Sequence, residues 1–133
     1  MTAGSTHLDI RVGTDVVEIE RVGKSIRKEA FVNKVFAAVE IDYCRQKAKP
    51  EASFAARFAA KEAFFKALGT GLYTEGMGPQ DVWVENDASG RPYLKLSMAA
   101  QNIVNQRGGQ CKIDVSLAHD GPLAIATVVL LFC

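Results

Sequence analysis

A chain of 133 residues with 48% hydrophobic and 23% charged residues has the size and balance of a single soluble globular domain spanning 1–133. A formal net charge of +1 excludes a global electrostatic drive toward nucleic acid or an anionic membrane, so any charged docking face has to be local. The three cysteines, Cys44, Cys111 and Cys133, have no close spacing and no histidine cluster beside them. That pattern points away from a disulfide framework or a thiolate metal site and toward reduced, mostly buried thiols in a cytoplasmic protein.

The opening MTAGSTHLDIRVG lacks the basic flank and apolar run of a signal peptide. Leu8, Ile10 and Val12 then alternate with Asp9 and Arg11, the period of a half-buried strand. Gly13 interrupts that alternation, and Asp15 follows at the strand's far end. Residues 18–29 turn to helical spacing, with Ile19, Val22 and Ile26 on one side, and 39–47 form a second helical patch.

Pro50 opens the longest helical segment, which runs to about Leu68 and ends at Gly69-Thr70-Gly71. A glycine-rich loop (Gly71, Gly76, Gly78, Pro79) leads to a hairpin with strands at 81–85 and 92–96. Ser97 is placed to cap a helix that ends before Gly108-Gly109. Strands at 112–118 and 123–132 flank the turn His119-Asp120-Gly121-Pro122. The apolar stretch from Leu123 is only half of the roughly 20 residues that a membrane-spanning helix requires. This order of elements predicts an α+β domain with a mainly antiparallel sheet packed on a long central helix.

The segment PEASFAARFAAKEAFFKALG carries the sharpest signal. At about 100° per residue, Phe54, Phe58 and Phe65 share one face, and Ala56, Ala59, Ala60, Ala63 and Ala67 share another. Glu62 and Lys66 fall at one seam between these apolar faces, and Arg57 and Lys61 fall at the other. The alanine face admits the close approach of a second backbone or helix. Pattern alone fits a Glu62–Lys66 ion pair worth a few tenths of a kcal/mol as well as it fits a functional pair. For Arg57 and Lys61 the pattern favours basic residues snorkelling from a helix edge. Asp15 reads as a turn or capping residue and His119 as a structural histidine when each is taken by itself.

Four ordered segments together resemble the holo-acyl-carrier-protein synthases, the small class of 4'-phosphopantetheinyl transferases. They are VGTDVVEIERV in the first strand, RFAAKEAFFKALGTG in the long helix, Gly90-Arg91-Pro92-Tyr93 in the hairpin and VSLAH in the last. The resemblance implies the fold of that family and transfer of 4'-phosphopantetheine from coenzyme A to a serine of an acyl carrier protein, releasing adenosine 3',5'-bisphosphate. It implies Asp15 and Glu62 as ligands of a Mg2+ ion, a metal that favours a few carboxylates beside phosphate oxygens. Lys66 is then the residue at the breaking diphosphate bond, neutralising or protonating the departing phosphate. Glu62, acting through a water, is the preferred proton acceptor, with Asp15 second.

By the same resemblance, Arg57, Lys61 and His119 contact coenzyme phosphates, while Gly69, Gly71 and Pro92 let backbone approach the coenzyme. It also implies a homotrimer with active sites between neighbouring subunits, and the alanine face and glycine-rich loops are compatible with close subunit packing. Acyl carrier proteins are acidic, and Arg21, Lys24, Arg27 and Lys28 lie within about a third of the first helix's circumference. Arg21 matches the family's docking arginine; the other three fit equally a solvated basic face.

Three positions depart from the family pattern. Ala118 replaces a hydroxyl residue before His119, Phe65 stands beside Lys66 where many relatives have serine, and Ala37 lacks a hydroxyl to cap the helix that follows it. The rival readings are a non-catalytic module that binds coenzyme A or carrier protein, and a metal-dependent hydrolase of the coenzyme diphosphate.

Overall fold

The computed structural model describes residues 8–71 and 76–133. The N-terminal extension before Leu8 and part of the glycine-rich loop lie outside the described residues. The elements in order are β1 (Asp9–Glu18), α1 (Ile19–Ser25), α2 (Glu29–Val35), α3 (Ala38–Arg45) and α4 (Pro50–Leu68). A single 3-10 turn (Pro79–Asp81) then precedes β2 (Val82–Asn86), β3 (Pro92–Leu96), α5 (Met98–Gly108), β4 (Cys111–Asp120) and β5 (Leu123–Phe132). The strands form two antiparallel sheets rather than one, β1-β5-β4 and the separate hairpin β2-β3.

β1 does not stop at Gly13. It pairs with β5 continuously from Asp9 opposite Phe132 to Glu18 opposite Leu123. Glycine stands there because α4 crosses at contact distance: a Cβ at Gly13 would lie 1.9 Å from the Ala63 carbonyl oxygen and 2.6 Å from the Ala67 amide nitrogen. The alanine face therefore meets the chain's own strand, and it is not the surface left for subunit packing. Ala59, Ala60 and Ala63 are fully buried, together with Ala126, Val128 and Leu130 of β5.

The alternation at the start of β1 marks a strand whose apolar side is the outer one. Ile10, Val12 and Val16 are 62%, 58% and 52% exposed, and half-buried Ile125, Val129 and Leu131 of β5 accompany them. Residues 13, 15 and 17 face inward, opposite buried Val128, Ala126 and Ala124. The helical segment at 18–29 is two elements, because the chain turns at Ile26-Arg27-Lys28 and Lys28 becomes the N-cap of α2.

α4 has the bounds that the sequence predicts, with Pro50 in its first turn and Gly69 in the left-handed region (φ 85°) as its C-cap. That backbone requirement explains the glycine at 69. Ser97 caps α5: its hydroxyl oxygen accepts from the Ala100 N–H at 3.1 Å and donates to Asp81 at 2.6 Å. α3 begins without a hydroxyl cap, and Glu40 accepts from the Ala37 N–H instead. Phe65 is buried edge-on against Phe64 in the core, so it does not set the polarity around Lys66.

Lys61 is fully buried. Its ammonium donates to Glu40 at 2.7 Å and to the carbonyl oxygens of Pro79 (3.1 Å) and Val82 (2.7 Å). The other oxygen of Glu40 accepts from the Val84 N–H at 2.9 Å. This pair ties α3, α4 and the start of β2 together, and removing one partner of such a pair costs about 3–5 kcal/mol. All three ammonium protons are used inside the core, so the structure does not place Lys61 where a coenzyme phosphate could reach it.

Candidate active site

Two groups of candidate functional side chains flank α4. The first depends on β1 lying against the alanine face, because Gly13 lets the strand come close enough for Asp15, two residues on, to face the helix. Lys66 donates to the Asp15 carboxylate at 2.9 Å and to the Thr14 carbonyl at 3.2 Å, so it reaches across to the strand rather than back one turn to Glu62. Burial and then the charge of Asp15 push the Glu62 carboxyl above its ordinary range, with Lys66 pulling the other way. Two carboxylates and one ammonium thus share a single electrostatic neighbourhood. Among the described residues no group of three or more His, Cys, Asp or Glu side chains gathers to hold a metal, so a cation here would draw its remaining ligands from outside the chain.

Glu62 opens into a recess of about 420 Å³ that it shares with Arg21, Glu18, Phe31 and Phe58. Arg21 is the only one of the four predicted docking residues in that recess. Lys24 and Arg27 line a neighbouring groove with Glu20 and Glu51, where Lys24 pairs with Glu20 at 3.4 Å, and Lys28 is exposed on the turn. Two of the four, Arg27 and Lys28, lie beyond the first helix.

The second group lies about 140° around α4 from Glu62. A cleft of about 560 Å³ gathers Arg57, Pro92 and His119, which the sequence separates by tens of residues. Lys47 and Lys49 also line it, and no carboxylate does. Arg57 is 4% exposed. Its guanidinium lies 4.1 Å from the Tyr43 ring centre and donates to Asn86 at 2.8 Å and Ser53 at 3.2 Å. Its Nε has no partner among the described residues. A cationic cleft with an unused buried donor is chemically suited to an anion such as phosphate.

Ala118 lines the same cleft as a methyl group where a hydroxyl would offer another donor. Gly71 is exposed at the edge of the undescribed segment, and Gly69 is accounted for by its cap geometry. Tyr43, Lys47, Lys49 and Asn86 were not legible as site residues. The one available hint was the basic run Lys47-Ala48-Lys49 immediately before Pro50.

Residues 11–128 match the family model of the 4'-phosphopantetheinyl transferase superfamily, and the chain belongs to that family. Within it the chain is similar to holo-acyl-carrier-protein synthases. It is 43% identical to that of Trichlorobacter lovleyi over 90% of this chain and 94% of the relative, and 44% identical to that of Geobacter sp. strain M21 over 89% and 94%. It is accordingly an enzyme, a phosphopantetheinyl transferase of the holo-acyl-carrier-protein synthase type. Among solved structures, the ACPS–CoA complex of Chronobacterium ammoniagenes superposes with a TM-score of 0.82 at 26% identity, covering 94% of this chain and 98% of that one. The holo-acyl-carrier-protein synthase of Neisseria meningitidis gives 0.81 at 29%, covering 90% and 96%. No helix among the described residues is long and apolar enough to cross a membrane.

Proposed function

We propose that this enzyme transfers 4'-phosphopantetheine from coenzyme A to a serine of apo-acyl carrier protein, using a Mg2+ ion held by Asp15 and Glu62. The observation that carries the reading is the Lys66–Asp15 bond between α4 and β1, with Glu62 near enough to feel the charge of both. A carboxylate raised by burial and by the charge of a second carboxylate beside it fits a divalent cation, and a bound coenzyme would supply diphosphate oxygens as further ligands. An ion held there by Asp15 and Glu62 would supply charge neutralisation for the diphosphate.

The chain's own residues then do the rest. Lys66 rests on Asp15 and is 54% exposed, so its ammonium has room to turn toward the diphosphate. There it neutralises the oxygen that departs with adenosine 3',5'-bisphosphate. The serine oxygen forms the new bond to the β-phosphorus, the diphosphate P–O bond breaks, and the serine proton passes by way of a water to Glu62, with Asp15 as the second acceptor. Arg57 and His119 bind coenzyme phosphate in the cleft, and Pro92 borders it. Arg21, beside Glu62, meets the acidic carrier, with Lys24, Arg27 and Lys28 extending the basic surface.

A homotrimer with shared sites accompanies this reading. The apolar outer face of β1 and β5 is suited to a second copy. The carboxylate pair and the cationic cleft diverge around α4, which favours a complete site built from two neighbouring subunits. A soluble, cytoplasmic enzyme fits its coenzyme and carrier.

The test is to incubate the protein with apo-carrier, coenzyme A and Mg2+ and weigh the carrier by mass spectrometry. A carrier heavier by phosphopantetheine is expected. Cleaved coenzyme with an unchanged carrier would establish hydrolysis instead, and no change in either would leave a binding module.

A further inference from the structure

The buried Lys61–Glu40 pair lies one structural repeat behind the wall of the cationic cleft on each of three elements. Glu40 precedes Tyr43 by about one turn of α3, and Arg57 precedes Lys61 by about one turn of α4. Val82 and Val84, whose backbone groups bond the pair, precede Asn86 on the same face of β2. In the cleft itself the next residues along each element meet again: Arg57 stacks on Tyr43 at 4.1 Å and donates to Asn86 at 2.8 Å.

We infer that Lys61 and Glu40 are positioning residues for coenzyme binding, setting the relative placement of Tyr43, Arg57 and Asn86 without touching the ligand. A buried ion pair adds little net stability over well-packed apolar residues of the same volume. What it supplies is direction. Three donors of one ammonium and both oxygens of one carboxylate fix the start of α3, the middle of α4 and the first residues of β2 in one geometry. Coenzyme affinity follows from that geometry, because a bidentate or stacked guanidinium loses its grip when its plane is turned. The role differs from a phosphate contact by Lys61, which its burial forbids. The inference rests on the proposed reading of the cleft as the coenzyme phosphate site.

The test uses the double variant Glu40→Gln with Lys61→Met, which removes both charges at nearly constant volume. Calorimetry measures adenosine 3',5'-bisphosphate binding, and steady-state assays with coenzyme A and apo-carrier separate KM from kcat. The double variant is expected to stay folded, to lose about tenfold in bisphosphate affinity and to raise the coenzyme KM by the same factor, a loss equal to roughly one good hydrogen bond. Its kcat is expected to change by less than about twofold. Should it fail to fold, Glu40→Asp keeps both charges, shortens the reach by one methylene and is read in the same way. Parental affinity and KM in the folded variant would overturn the inference, as would a loss confined to kcat. A parental protein that transfers phosphopantetheine yet binds no bisphosphate would also overturn it while sparing the reaction. One that binds bisphosphate without transferring would sink the proposed reaction alone.

Discussion

Gly13→Ala probes how the strand and helix jointly create the proposed catalytic spot. The new methyl would sit 1.9 Å from the Ala63 oxygen and 2.6 Å from the Ala67 nitrogen, both backbone atoms of a helix, so neither can swing aside. β1 has to withdraw by about 1.5 Å to restore contact distance. Overpacking of this kind costs about 1–3 kcal/mol, and at about 4 °C per kcal/mol for a domain of this size the melting temperature should fall by about 4–12 °C. Asp15, two residues along the strand, moves with it and away from Glu62 and Lys66. A displacement of about 1 Å at reacting groups can cost about a hundredfold in rate. Calorimetric melting and the carrier mass assay on the same sample provide both readouts. A variant that melts within a degree of the parent and turns over at the parental rate would refute the close-approach account.

Glu62 has a folded proton affinity above its unfolded one, so its contribution to stability is fully present below the ordinary carboxylate range and is lost as pH rises through its folded value. Asp15→Asn removes one cause of that elevation, and carbon-detected NMR should show Glu62 titrating at lower pH; an unmoved titration would separate the two carboxylates. Val12→Glu places a charge on the exposed apolar face of β1 and should give monomers by light scattering, whereas an intact trimer would exclude that face as the interface. Ser97→Ala removes the cap of α5 and a bond to Asp81 and should cost about 1 kcal/mol in thermal unfolding without altering the coenzyme KM.

Features encoded by neighbours in sequence were legible, and features encoded across the fold were not. Pro50 and Gly69 bracket α4 through backbone chemistry that acts within a single turn, and Ser97 caps α5 in the same local way. Gly13 reads locally as a strand breaker, yet its reason is a helix fifty residues away. Lys61 reads as a surface lysine on a helix edge because Glu40, which holds it in the core, belongs to another element. Ile26 continues the helical period of α1 although the chain has already turned. The face of β1 is inverted for a related reason: its apolar residues lie on the outer side of the sheet, where the period of a strand cannot say which face is covered. In the site, the family motifs marked Asp15, Glu62, Lys66, Arg57 and His119, while Tyr43, Asn86 and Glu40 lie outside those motifs and emerge only from contacts between α3, α4 and β2.

A single Mg2+ ion shared by Asp15 of the strand and Glu62 of the helix is the centre of the proposed mechanism. Calorimetric titration of Mg2+ into the parent, Asp15→Asn and Glu62→Gln, each saturated with coenzyme A, measures this directly. The parent should bind one ion per site and both variants should lose most of that affinity while melting like folded proteins. Parental Mg2+ affinity in either variant would contradict the shared site.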